Sequence, residues 1–343
     1  MVRTLAAMAA SLGLLLTFAV AAQMGSAPPP AFTSPLARDH PLAGRIWGAR
    51  EGRFITPDEL AAGLVEADVV LLGEVHDNAD HHAWQAWIID AVSRQRRVRD
   101  PNAPPGAVVF EHIRADQQPA LDELAANRAK PKADVTTAEV FALLRWDESG
   151  WPSQDMFAPI FERALAWGLP IKAGEASRAT MRAAAKSGAS ALDVSEHTRL
   201  GLAAALDAAA ESDLLSEIEA SHCGMIPKGA LSNMAFAQRY RDAHLAAASA
   251  DAAARHGASF LMTGNGHVRR DRGVPWHLAR IAPSLAVASV LMVEVEDGKT
   301  EPESYGVRGP DNVPAANFVV FTPRAERDDP CEAWRAKASQ PAK

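Results

Sequence analysis

Strand-like runs, several of them continuously aliphatic, recur along the chain at Val69 to Leu72, Ala107 to Phe110, Leu169 to Ala173, Ser259 to Met262, Val287 to Val295 and Asn317 to Phe321. Between most of them lie stretches of helical period, such as His82 to Val92, Met156 to Trp167 and Leu231 to Ala250. Runs without polar alternation belong to strands covered on both faces, and strands that alternate with helices build parallel sheets. The pattern therefore predicts an α/β fold, a mainly parallel β-sheet flanked by helices. About 115–165 and about 176–256 are Ala-rich and helical with no strand signal, too much chain for simple crossovers, so they predict helical insertions that form a cap subdomain. The last two strand runs have no helix between them, only Glu296-Asp297-Gly298-Lys299 and a Pro/Gly-rich loop through Pro314, which predicts an antiparallel edge. The domain is expected to span residues 46–325.

The ends of the chain follow other rules. Arg3 precedes an apolar stretch from Leu5 to Val20 that ends in Ala19-Val20-Ala21, the form of a secretory signal peptide over residues 1–21. Export to the periplasm is the expectation; retention as an uncleaved anchor is the alternative for a stretch of about 16 residues, where a span needs roughly 20. No cysteine lies nearby, which disfavours a lipoprotein anchor. Residues 22–45, with Pro28-Pro29-Pro30, are expected to be a flexible lead-in, and 326–343 a C-terminal tail.

Charge narrows the partners. The 343 residues carry a net charge of −7, and the densest basic run, Arg94-Gln95-Arg96-Arg97, is short and sits at a helix end. Nucleic acid is not an expected partner. The two cysteines, Cys223 and Cys331, either pair in an oxidising compartment or remain as buried thiols, with Cys223 as a soft ligand the third reading.

Chemistry enters where the strands stop. In open α/β sheets, ligands gather beyond the carboxyl ends of the strands. There the first run delivers Gly73-Glu74-Val75-His76, the second Glu111 and His112, the third Gly174-Glu175, and the fourth Gly264-Asn265-Gly266-His267. Glu74 and His76 stand at i, i+2 on an extended exit and share a side. A carboxylate and an imidazole there act either as ligands for a divalent metal such as Zn or Mn, with Glu74, His76 and His267 as the set, or as a general acid/base pair with Glu111 added. The residue types alone do not separate the two. Glu175 reads as a cap for the helix near Ser177, His82 as solvated, His81 as an alternative site member, and His112 and His277 as structural.

A second polar group lies in the cap. Ser221-His222-Cys223 precedes a helix on which Gln238, Arg241 and Asp242 share one face, while Phe236, Tyr240 and His244 share another. The first face is placed to close over a site. Arg269, Arg270 and Arg272 follow His267 in a loop suited to a propionate, phosphate or other carboxylate.

Taken in order, Gly73-Glu74-Val75-His76-Asp77 with His81-His82, Trp151-Pro152, Ser221-His222-Cys223, Gln238 to Asp242, and Gly264-Asn265-Gly266-His267-Val268-Arg269 with Gly273-Val274-Pro275 resemble the ChaN family. These are haem-binding uptake proteins of the Tiki/TraB/erythromycin-esterase-like superfamily. The resemblance implies an exported α/β protein of haem or iron acquisition, with haem or another small molecule as ligand. A homodimer sharing haem and an outer-membrane haem uptake machinery are the implied partners. It also implies kinship with metal-dependent proteases and esterases, so a hydrolase using Glu74, His76, Glu111 and His267 is the competing function. The chain departs from the family pattern in having Phe157 where a tyrosine is expected after Trp151-Pro152. With two tyrosines in the chain, Tyr240 and His222 stand as the candidate iron ligands, and Arg269 and Arg272 as contacts to the haem carboxylates.

Overall fold

A computed structural model describes residues 27–128, 135–310, 312–329 and 331–332. The signal peptide expected over residues 1–21 lies outside them, as does most of the tail beyond Glu332. No helix among the described residues is long and apolar enough to cross a membrane.

Eight strands form one sheet: β1 (Ile46–Gly48), β2 (Arg53–Ile55), β3 (Val69–Glu74), β4 (Ala107–Arg114), β5 (Ile171–Glu175), β6 (Ser259–Gly264), β7 (Val287–Glu294) and β8 (Phe318–Thr322). Their spatial order is β2-β1-β8-β7-β3-β6-β4-β5. The six strands from β8 to β5 all run parallel. Every residue of β3 and of β6 is buried, as the unbroken aliphatic runs require of strands in the middle of a parallel sheet.

Alternation along the strands divides two cores. Val70, Leu72, Val108, Phe110, Phe260 and Met262 pack on one face beneath helices Pro57–Leu64, Ala79–Arg99, Thr137–Leu144 and Gln154–Trp167. Val69, Leu71, Ala107, Val109 and Leu261 pack on the other against the long helix Lys228–His256 and Val274–Ile281. The flanking helices carry ordinary start and stop signals: Thr56 and Glu59 form a capping box, Asn78 caps Ala79–Arg99, and Gly168 and Gly257 end their helices in the left-handed region. The insertions contain Gln118–Arg128, Thr137–Leu144 and Gln154–Trp167 in the first case, and Arg178–Ser187, Val194–Arg199, Ala208–Ser221 and Lys228–His256 in the second.

Three expectations are corrected. The last two strands, β7 and β8, pair in parallel, and the antiparallel edge is made instead by β1 and β2, laid against β8. A parallel pair needs a long crossover, and the loop 295–317 supplies it without an α-helix. Residues 27–45 are not a loose lead-in. The backbone amides of Thr33 and Ser34 donate to the Asp80 carboxylate at 2.7 and 3.0 Å, Trp87 Nε1 donates to the Ala27 carbonyl, Leu36 bridges to Arg324, and Leu42 is buried in the second core. The start of the tail is likewise anchored. Arg327 pairs with Glu294 and Asp77, and Cys331 forms a disulfide with Cys223, which removes both thiols and the soft-ligand reading.

Candidate functional site

The parity that separates the two cores also decides where each strand-end group points. Glu74 continues the Val70–Leu72 side, toward helix Ala79–Arg99. Its carboxylate is fully buried and accepts from Gln85 Nε2 at 2.8 Å, from His76 Nδ1 at 2.8 Å and from His112 Nε2 at 2.9 Å, with His82 Nδ1 at 3.3 Å. Burial alone would raise this carboxyl, but the imidazoles of His82 and His112 hold it well below the usual carboxylate range. His82, expected to be solvated, is wholly buried, bonds the His76 carbonyl at 3.0 Å, and is raised by Glu74 against the opposing effect of burial.

His112 was expected to be structural and is a member of the cluster. Trp151, Phe157 and Phe110 box its ring, with centroids 4.5, 4.7 and 6.4 Å away, and its Nδ1 has no hydrogen-bond partner. Trp151 Nε1 donates to the His112 carbonyl at 3.1 Å. Phe157 thus fills this box on the buried side rather than offering a polar group to a ligand.

Glu111, one residue earlier on β4, points to the opposite face. It accepts from Thr263 Oγ1 at 2.7 Å and from the Gly264 amide at 2.9 Å, and lies 3.3 Å from His267 Nε2. His267 Nδ1 is 2.6 Å from Asp242 Oδ1 on the long helix, with Gln238 beside the ring. Burial pulls the His267 pKa down, but the charges of Glu111 and Asp242 outweigh it and lift it to about 10. Both of its nitrogens lie beside carboxylates, an arrangement that favours the protonated ring. Its nitrogens are not among the donor atoms that converge with those of Glu74 and His76. The cluster whose donor atoms converge is Glu74, His76 and His112, all within 4.8 Å of one another. Arg241, on the same helix, pairs with Glu175 at 2.5 Å. The cap of helix Arg178–Ser187 is Ser177, not Glu175.

His76 joins the two halves. Its Nδ1 faces Glu74, its side chain is 37% exposed, and its ring lies 4.9 Å from Trp151. The other edge lies over Gly264, where a Cβ would come within 3.2 Å of Nε2, so glycine keeps that edge clear. The fields of Glu111 and Glu74 raise His76 against its burial.

The remaining candidates lie elsewhere. His81 is buried beneath the exit loop, taking the Val75 amide on Nδ1 and facing Thr322 Oγ1 with Nε2, and burial pushes it down to about 3. Tyr240 packs inside the cap with Phe236 and Leu192, where burial pushes its phenol up to about 12. His222 ends helix Ala208–Ser221 and bonds back to the Ile218 carbonyl at 2.8 Å. Arg269 is held by Asp271 and the Gly306 carbonyl, and Arg272 by Glu217 and Asp213, so neither guanidinium is spare. Tyr305 Oη is bonded to the Lys299 carbonyl.

Comparison with known proteins agrees with this architecture. A family model described as haem-binding uptake, Tiki superfamily, ChaN matches residues 60–278. The structure of ChaN of Campylobacter jejuni, solved for its cofacial haem binding, is similar with a TM-score of 0.60 at 18% identity, covering 80% of this chain and 95% of that one. A mutant of the erythromycin esterase EreC in its open conformation is similar at 14% identity and a TM-score of 0.35, covering 82% of this chain and 83% of that one. No curated protein sequence matches significantly. By the family match over most of the folded domain, the chain belongs to the ChaN family of haem-binding uptake proteins in the Tiki superfamily.

Proposed function

We propose that this protein binds haem in the periplasm as part of iron uptake. The family match over residues 60–278 carries the proposal. The residues can hold the group: haem iron takes an axial His, Tyr, Met or Cys. Cys223 is in a disulfide, and Tyr240 is buried in the cap core. His76 is suited to the role, a partly exposed imidazole whose Nδ1 is oriented by a buried carboxylate and whose Nε2 edge is kept clear by Gly264. A carboxylate bonded to the far nitrogen of a ligating imidazole fixes its tautomer and raises its basicity. Haemin added to the purified protein should give a shifted Soret band that His76→Ala abolishes and Tyr240→Phe leaves in place. An unshifted band at stoichiometric haemin overturns the proposal. Cell fractionation tests the periplasmic location. Sizing with and without haemin tests a shared homodimer, and co-purification with an outer-membrane receptor tests the uptake role.

The converging donors of Glu74, His76 and His112 favour a second reading, a hydrolase that uses a divalent metal such as Zn or Mn. Three protein ligands with an open position is the pattern of catalytic sites, and the metal would lower the pKa of a bound water. In a metal-free version His76 is the base. Elemental analysis decides between them. Stoichiometric metal that disappears in His112→Ala, with no Soret shift, selects the hydrolase.

A further inference from the structure

The arginines first expected to hold carboxylates, Arg269 and Arg272, are neutralised within the fold. Three others are gathered around a cleft at the carboxyl end of β4. Arg114, Arg145 and Arg178 line a volume of about 500 Å³. Two acids share the lining and pair with two of the cations: Asp116 lies 3.3 Å from Arg114, and Glu148 accepts from Arg145 through both carboxylate oxygens, so the lining keeps one net positive charge. Arg178 stands exposed at the start of its helix and forms no ion pair among the described residues. One wall is apolar, and it includes Leu143, a leucine left 40% exposed. A cation rim over an apolar wall suits an organic anion better than an inorganic one, because the body of the ligand can cover the leucine while its carboxylate meets the guanidinium.

The cleft neighbours the Glu74–His76–His112 cluster through residues that touch both. Arg114 is three residues beyond Glu111 on the same strand, and Ser149, also in the lining, accepts from the backbone amide of Trp151 at 3.1 Å. Trp151 is the residue whose ring touches both His76 and His112. We propose that the cleft between Arg145 and Arg178 is the subsite for the carboxylate end of an amphipathic ligand whose other end reaches the His76 cluster. For haem, on which this inference rests, the carboxylates are its propionates.

The test compares haemin with haemin dimethyl ester, whose carboxylates are esterified, on the full chain and on an Arg145→Ala/Arg178→Ala variant. Both residues are exposed, so the variant should fold. The wild type should prefer haemin about tenfold, and the variant should lose that preference while binding the diester unchanged. Equal wild-type affinity for both porphyrins, or a preference that survives in the variant, overturns the subsite and leaves the haem reading standing. If neither porphyrin binds, the haem reading falls, and calorimetric titration with decanoate against decanol decides the subsite. Binding of decanoate alone, lost in the variant, supports it; no binding of decanoate overturns it.

Discussion

At the scale of single residues, the best-defined electrostatic feature is the buried row Asp242–His267–Glu111. A histidine whose pKa in the folded state is raised to about 10 is stabilised by its partners relative to an unfolded value near 6.5. That stability is fully present below about pH 6.5 and is lost as the pH rises through about 10, because the unfolded chain releases the proton first. Thermal unfolding from pH 6 to 10 should therefore show a steeper decline for the wild type than for His267→Gln. Parallel curves would refute the assignment. Asp242→Asn leaves the buried cation with one carboxylate and should cost about 3 kcal/mol by the usual penalty for breaking a buried pair, measured by denaturant titration. Glu74, Glu111 and His267 stand out in the sequence because each follows an aliphatic strand run. His112 and His82 were not. His112 was masked by its neighbour: adjacent strand residues face opposite ways, so the Glu111-His112 pair serves both faces of the sheet, and reading one as functional left the other to structure. His82 opens a helix after a polar loop, a pattern that looks solvated until the helix is seen to pack its first turn over Glu74.

At the scale of elements, the glycines that let strands and loops approach are the points of least tolerance. Gly73, at the end of β3, has no room for a side chain: a Cβ there would meet Asn265 Oδ1 at 2.4 Å and the Val290 carbonyl at 3.0 Å. Asn265 is not free to retreat, since its amide donates to the Met292 carbonyl at 2.6 Å and its Oδ1 accepts the Met292 amide at 3.1 Å, tying β6 to β7. Gly73→Ala should cost about 1–3 kcal/mol, as overpacking typically does, and should also shift the Gly264 to His267 turn. A matching loss of haemin binding in excess of the loss of folded protein would report that shift; full binding by the remaining folded fraction would exclude it. The parallel centre of the sheet was visible in runs such as Val69 to Leu72. The edge was misassigned because β7 and β8 are joined by a helix-free loop, which resembles a hairpin link in sequence but is long enough to carry the chain back to the start of the sheet. The true antiparallel edge, β1 and β2, is three residues per strand, too short for any periodicity to register.

At the scale of the whole molecule, the C-terminal segment connects parts that the sheet holds only indirectly. Arg327 reaches Asp77, the residue after His76, and Glu294 at the end of β7. Four residues later Cys331 is bonded to Cys223, at the foot of the cap. Four extended residues cover at most about 14 Å, so the segment straps the exit loop of the site to the helical cap. Sequence could not show this: a disulfide depends on a distance, and its partners are 108 positions apart. Closing so long a loop restricts the unfolded chain, by about 4–5 kcal/mol in the chain-entropy model. Cys331→Ser should lower the unfolding free energy in urea by up to about that amount and speed proteolysis after Arg327. Because Arg327 still pairs with Asp77 and Glu294 in that variant, the β3 exit should keep its place, and the haemin Soret shift should survive at temperatures where the variant is folded. Loss of the Soret shift with folding intact would instead mean that the strap positions His76.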